Sequence, residues 1–380
     1  MGYIDHVVRR GLEHPSTVSL LKRAIQDGPE QIEIPKWGVA VLVVTFLCFF
    51  VSLSSLEYTL RDVVATLAMV ETPSAAITVS PSEESAPKDV KEGLLETGPT
   101  ITLVHQKPIT SSIRGTIRHL LSVAGWTSRW RGLLSFIFYY LCFAVTTNIF
   151  DSLIPRFVPG RVVLIAAISG ALLANVHAAW THKVIAVPAE KRFQLFKRIP
   201  ARSTWKHLAL PAAINAAAVY VSVYIAQGWM VLLRLDRVGH ENLEKYTCAQ
   251  WTSLAVRAVS VIVIGFALAI FIIVPARVTQ IRVEASILPE EVDTIVPFDR
   301  TFDGKVVPKI LGGTGCVAFL DAWRSFNWEA RRRLIKLYVK MYAIVTAFTI
   351  VFAILFAFNV WAVAGAEVNK QLARARNQGF

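Results

Sequence analysis

Charge is scarce in this sequence. Asp, Glu, Lys and Arg make up 18% of its 380 residues, against about a quarter in an ordinary soluble domain. The four cysteines (Cys48, Cys142, Cys248 and Cys316) are scattered, with no C-x-x-C spacing, which excludes a disulfide framework and a structural zinc site. H-E-x-x-H, G-x-S-x-G and G-x-x-x-x-G-K-[ST] are all missing, and with them the common metalloprotease, serine-hydrolase and P-loop signatures. No cofactor or metal is therefore expected, and the reading leans away from an enzyme. No N-x-[ST] sequon occurs either, so glycosylation gives no marker of sidedness.

What is abundant is apolar surface. Hydrophobic residues make up 54% of the chain, and the mean hydropathy is +0.48. About 20 apolar residues carry a helix across the hydrocarbon core, and six runs qualify: 38–56, 133–154, 162–181, 209–233, 254–274 and 342–365. Trp37, Trp130, Trp180, Trp229, Trp251 and Trp361 stand near their ends, where an indole suits the headgroup layer. The expected fold is an all-α membrane protein with six transmembrane helices and amphipathic interfacial helices. Its segments are an N-terminal amphipathic stretch (1–37), the first span (38–56) and a Ser/Pro-rich loop ending in a basic amphipathic helix (57–132). The second to fifth spans follow (133–274), then a loop with a second basic helix (275–341), the sixth span (342–365) and a tail (366–380).

Lys and Arg total 40 against 27 Asp and Glu, a net charge of +13. In a membrane chain this reads as basic loops facing anionic headgroups rather than as nucleic-acid binding. The loops after the first, third and fifth spans hold 26 of the Lys and Arg, and the opposite side holds 13. The positive-inside rule then puts both termini on the lumenal or outer side. An intracellular membrane is expected, the organelle being open.

Outside the spans, 111–124 places Ile113, Ile117, Leu120, Leu121 and Ala124 on one helical face with Arg114 and Arg118 opposite. The stretch 320–341 repeats the theme. Leu320, Trp323, Ala330, Leu334, Leu337 and Met341 form its apolar stripe, interrupted by Asn327, and Arg331, Arg332, Arg333, Lys336 and Lys340 its basic side. These seven cations are the candidate lipid-headgroup contacts. Whether the apolar faces meet lipid or the protein's own spans is open. A weaker candidate helix lies at 18–25. The segment 71–96, rich in Ser, Pro, Glu and Ala without periodicity, is expected to be a flexible linker. The segment 275–309 carries a short alternating run (Val278, Ile281, Val283) and an acidic patch from 290 to 303.

Polar residues at membrane depth invite a functional reading, and the third span ends with Asn175, His177, Thr181 and His182. His177 and His182 are five residues apart, about 140° around a helix, so they do not share a face as a ligand pair would. An interhelical hydrogen bond from His177 is favoured over a metal, haem or relay role, with Asn148, Asn215, Gln227 and Asn359 as candidate partners. Asn148, Asn175, His177 and Asn215 form the candidate polar cluster of a facilitator. Small residues recur every fourth position at Ala166, Gly170, Ala174 and Ala178, and at Ala209, Ala213 and Ala217. Spans three and four are therefore expected to form a tight hairpin. Gly313-Thr-Gly315-Cys-Val-Ala318 matches G-x-G-x-x-A, but Pro308 and the shortness of the loop favour a glycine hinge over a dinucleotide fold.

Four segments together (173–182, 282–289, 294–302 and Asp321-Ala-Trp323) resemble a family of multi-spanning fungal membrane proteins of uncharacterised function, over roughly residues 110–345. Members are sometimes labelled ubiquitin carrier or conjugating-like. That label would imply cysteine chemistry, yet no His-Pro-Asn motif precedes a cysteine here. The expected function is a membrane-organising or adaptor protein that binds anionic lipid and protein partners. The alternative is a small-molecule or lipid facilitator with a polar path through the second to fourth spans.

Overall fold

The computed structural model describes residues 36–72, 75–80, 100–105, 107–188, 199–238, 246–307 and 311–377. The candidate helix at 18–25 and most of the 71–96 linker lie outside them. In chain order the main elements are α1 (Lys36–Glu57), α2 (Ala65–Val70), β1 (Ala75–Ser80), β2 (Thr100–His105), α3 (Ile113–Ala124), α4 (Leu133–Leu153) and α5 (Arg161–Leu172). There follow α6 (Ala174–Ile185), α7 (Trp205–Leu232), α8 (Cys248–Leu268), α9 (Val274–Ser286), α10 (Phe319–Arg324) and α11 (Trp328–Asn377). Among the described residues, five helical stretches are long and apolar enough to cross a bilayer: Lys36–Val70, Trp126–Leu153, Arg202–Leu232, Cys248–Ser286 and Trp328–Val363. The pair α5 and α6, bent by 64°, makes a sixth if counted as one span. The protein is thus all-α and of membrane type, apart from one small antiparallel ladder.

The chain divides into two units, Met1–Ser54 with Thr346–Phe380, and Ser55–Val345. In the first, the apolar helices α1 and α11 pair through Phe49, stacked on Phe352 at 4.1 Å between ring centroids. The Asn359 amide donates to the Thr45 hydroxyl at 3.4 Å, so Asn359 is not a partner of His177.

The second unit holds the hydrophobic core. Two long helices change character along their length here. A π-helical turn, Tyr58–Val64, joins α1 to α2, and another, Ala269–Ile273, joins α8 to α9. Before the second turn the apolar side chains are exposed, as at Val259, Ile262 and Val263. After it, every residue from Val278 to Ser286 is buried. An apolar helix that water would not tolerate faces lipid, whereas one covered on all sides can carry polar groups that neighbours satisfy. Leu67, Leu120, Ile185, Ile281 and Leu334 meet in this core, one from each of α2, α3, α6, α9 and α11.

Small residues set one helix pair. A Cβ on Gly170 would lie 2.7 Å from the Ala216 Cβ and 2.8 Å from the Ala212 carbonyl oxygen, so α5 and α7 approach as closely as glycine permits. The hairpin forms as expected, but the receiving ridge on α7 is Ala212 and Ala216, one position short of the predicted Ala209–Ala213–Ala217 series.

Four other expectations are corrected. The third span is not straight over 162–181: the chain turns at Leu173 (φ −93°, ψ 12°), leaving α6 in the core. The run at 278–283 is helical, and its pattern is irregular because α9 is buried all round. The stretch 320–341 is two helices, since the Ala330 N–H donates to Asn327 Oδ1 at 2.9 Å and the residue that broke the stripe caps α11 instead. Within the supposed linker, 75–80 pairs with 100–105 in an antiparallel ladder from Ala75↔His105 to Ser80↔Thr100; Ile77 and Val79 alternate there with small and polar residues.

Candidate functional site

The buried end of α6 faces α9. His177 Nδ1 lies 2.7 Å from Glu284 Oε1, and the Gln280 amide donates to the same oxygen at 2.8 Å. The Thr181 hydroxyl donates to Oε2, and His182 Nε2 donates to the Glu284 backbone carbonyl at 2.7 Å. A carbonyl oxygen can only accept, so His182 carries its proton on Nε2. The two histidines do sit on different faces, and one residue of α9 satisfies both with different atoms. Among the described residues no group of three His, Cys, Asp or Glu could hold a metal ion.

Three more charged centres lie beside it. Asp62 accepts from Arg277 at 2.5 Å. Arg282 donates to the carbonyls of Ala322 (3.0 Å) and Met69 (3.1 Å) and to the Ser325 hydroxyl (3.1 Å), with its guanidinium over the rings of Phe302 and Phe326. Glu71, with 1% of its side chain exposed, pairs with Arg333 at 3.3 Å. Glu71 also accepts from the backbone N–H groups of Ile109 (2.5 Å) and Thr110 (3.1 Å) and from the Thr110 hydroxyl. Buried charges persist where partners replace the lost water, and these groups tie α2, α9, α10, α11 and the segment before α3 together.

The Glu71 clamp has a consequence at the surface. It holds residues 107–113 against the first turns of α11, and between them opens a cavity of about 360 Å³. Lys107, Arg332, Arg333, Lys336 and Lys340 line it, with Ser111, Ile113 and one acid, Glu329. This volume is in the range of small-ligand sites. Lys336 and Lys340 are exposed; at about 1.5 Å per residue they lie roughly 9 and 3 Å before the apolar run that starts at Tyr342.

The seven candidate headgroup contacts divide by geometry. Arg332, Arg333, Lys336 and Lys340 share the cavity. Arg114 and Arg118 are exposed on α3. Arg331 is turned inward: it donates to the carbonyls of Phe326 (2.8 Å) and Trp323 (3.0 Å) and stacks over the Trp323 ring, so its charge closes the end of α10. The apolar stripe of α11 (Ala330, Leu334, Leu337 and Met341) packs into the protein core.

The polar residues of the proposed path are not gathered. No hydrogen bond links any two of Asn148, Asn175, His177 and Asn215. Asn148 donates to Ala144 and lines a small cavity of about 180 Å³ with Asp151 and Tyr220. Asn175 donates to the carbonyls of Pro200 and Ala201, Asn215 is half-buried on α7, and His177 is held by Glu284. A third cavity of about 300 Å³, mostly apolar, lies between His182, 199–204 and 287–292.

Lys107, Glu71, Asp62 and Glu284 were not singled out from sequence. Glu284 had a readable signal, the Gln280–Glu284 spacing of one helical turn, but it falls beyond the hydropathy boundary at 274. The glycine segment makes a turn, with Gly312 and Gly315 at positive φ and the Gly315 N–H on the Val307 carbonyl. No family model, no curated protein and no solved structure matches the chain.

Proposed function

We propose that this chain is a multi-pass membrane protein that organises its membrane surface as an adaptor, binding anionic lipid headgroups and protein partners rather than turning over a substrate. The observation that carries the reading is the basic cavity beside the start of the sixth apolar run. Anionic headgroups concentrate where Lys and Arg cluster at the membrane surface, at about 1 kcal/mol per cation.

Chain path supports multiple crossings. Arg131, just before α4, donates to the carbonyls of Lys183 and Ala186 at the end of the bent pair. At the far end of α4, Arg161 pairs with Asp151 at 2.9 Å. The α5–α6 pair thus runs back along α4, which supports reading it as a crossing rather than as a re-entrant loop. The connections after the first, third and fifth apolar runs then fall on one side, where their residues share the core, and these same connections hold the excess of Lys and Arg. The positive-inside rule makes that side cytoplasmic.

The test is native mass spectrometry of the purified full chain from a mixed membrane. Wild type is expected to retain anionic lipid in preference to phosphatidylcholine. The Arg332→Gln, Lys336→Gln, Lys340→Gln triple variant is expected to lose that preference while keeping its melting temperature. Equal retention of both lipid classes by wild type would overturn the reading.

A further inference from the structure

The basic cavity is more than a charged face, and its chemistry narrows the ligand. We propose that it is a preorganised site for a polyol ring carrying two or more phosphate monoesters, presented as the headgroup of an inositol phospholipid. This rests on the anionic-lipid reading above.

The charge balance is the first argument. Five cations line the cavity against Glu329, which leaves four. Glu71, bonded to Arg333, removes one more and leaves three. A phosphatidylserine headgroup carries one net negative charge and would leave the wall under-neutralised. A phosphate monoester carries about −1.5 to −2 near neutral pH, so two of them, before the phosphodiester is counted, already neutralise the wall in full. The second argument is shape. A diffuse basic face attracts serine lipids without any concavity, whereas a half-open cavity of about 360 Å³ admits a ring-sized group.

The third argument is preorganisation. Arg333 is fixed by Glu71 and by the carbonyls of Ala68 and Glu71, while its buried Nε has no hydrogen-bond partner among the described residues. The opposite wall is fixed by the same carboxylate through Ile109 and Thr110. The cavity also reaches Ile113, the first residue of α3, where the helix dipole favours an anion. Two exposed lysines complete a site whose rigid half is already in place, which limits the ordering cost of binding.

The experiment uses the full chain in neutral detergent, titrated with dioctanoyl phosphatidylinositol bisphosphate, dioctanoyl phosphatidylserine, free inositol trisphosphate and inorganic phosphate. The bisphosphate lipid is expected to bind at least about tenfold more tightly than the serine lipid, one charge-assisted contact being worth that factor. Lys336→Gln and Lys340→Gln should each weaken it several-fold. Arg324→Gln, an exposed cation on α10 outside the cavity, should not. Inositol trisphosphate binding as tightly as the lipid would keep the site but assign a soluble ligand and overturn the lipid source. Equal affinity for the bisphosphate and serine lipids, or equal losses from Arg324→Gln and Lys336→Gln, would overturn the site and leave the anionic-lipid reading standing. No binding of any anionic lipid would overturn both.

Discussion

His177 Nδ1 and Glu284 Oε1 meet at 2.7 Å across 107 positions of sequence, with 11% and 1% of their side chains exposed. This contact ties the bent half of the third apolar run to the inward continuation of the fifth. It gives Glu284 a role that is structural before it is anything else, since both its carboxylate oxygens and its backbone carbonyl are bonded by α6 and by its own helix.

Removing that carboxylate is therefore expected to be severe. Glu284→Ala should destabilise by about 3–5 kcal/mol, the cost of breaking a buried charged network from one side. Glu284→Gln, which keeps the shape and an acceptor, should cost less. Thermal unfolding of the purified variants checks the order; an unchanged melting temperature for Glu284→Ala would contradict the assignment.

Asp62 and Arg277 should behave as a pair. Asp62→Asn leaves a largely buried guanidinium without its counter-charge and should cost about 3–5 kcal/mol, while Asp62→Leu with Arg277→Met should recover most of it. A double-mutant cycle in thermal stability measures the coupling. Additive losses would show the two to be independent.

Gly170→Ala should force α5 and α7 apart, costing about 1–3 kcal/mol by overpacking. Ala216→Gly in the same chain relieves the 2.7 Å contact but not the 2.8 Å contact with the Ala212 carbonyl, so rescue should be partial. Full rescue would mean the backbone approach is looser than described.

Asp299 supplies a pH dependence outside the apolar helices. Partial burial pushes its carboxyl up, but the Asp303 N–H, the Thr301 hydroxyl and N–H, and the positive charge of Arg282 outweigh this and hold it below its usual value of 3.8. A depressed carboxyl contributes stability above its unfolded value, and that contribution is lost as pH falls through the folded value. Asp299→Asn should therefore be less stable than wild type at neutral pH, and the two should converge at pH below 3.8. Parallel melting curves across that range would remove Asp299 as the source.

Much of the plan was legible. Apolar run length located the spans, and the 3–4 spacing of Leu334, Leu337 and Met341 marked an apolar face, but whether that face met lipid or protein was not legible until the core was seen. Local chemistry read wrongly where tertiary context took over. Asn327 looked like a flaw in a stripe and is a cap. Leu173 carries no sequence mark of a bend, because neither proline nor glycine makes it; the polar density that follows, from Asn175 to His182, was the usable sign. The cavity was half visible, since the basic spacing on α11 is helical and local. Lys107 and Glu71 were not, because the contact between Glu71 and residues 109–110 joins parts of the chain that no periodicity connects.

The stretch Cys248–Ser286 runs for 39 residues, about 58 Å at helical rise. One half exposes apolar side chains such as Val259, Ile262 and Val263, and the other, carrying Arg277, Arg282 and Glu284, is the axle of the packed unit. The π-helical turn between them adds a residue to one turn and so re-phases the two halves, letting one rod carry an exposed apolar flank on one half and polar groups turned to its neighbours on the other. Arg282, gripping the carbonyls of Met69 and Ala322, pins the inner arm to the helices on either side, so the arm cannot turn about its own axis without breaking bonds to both α2 and α10.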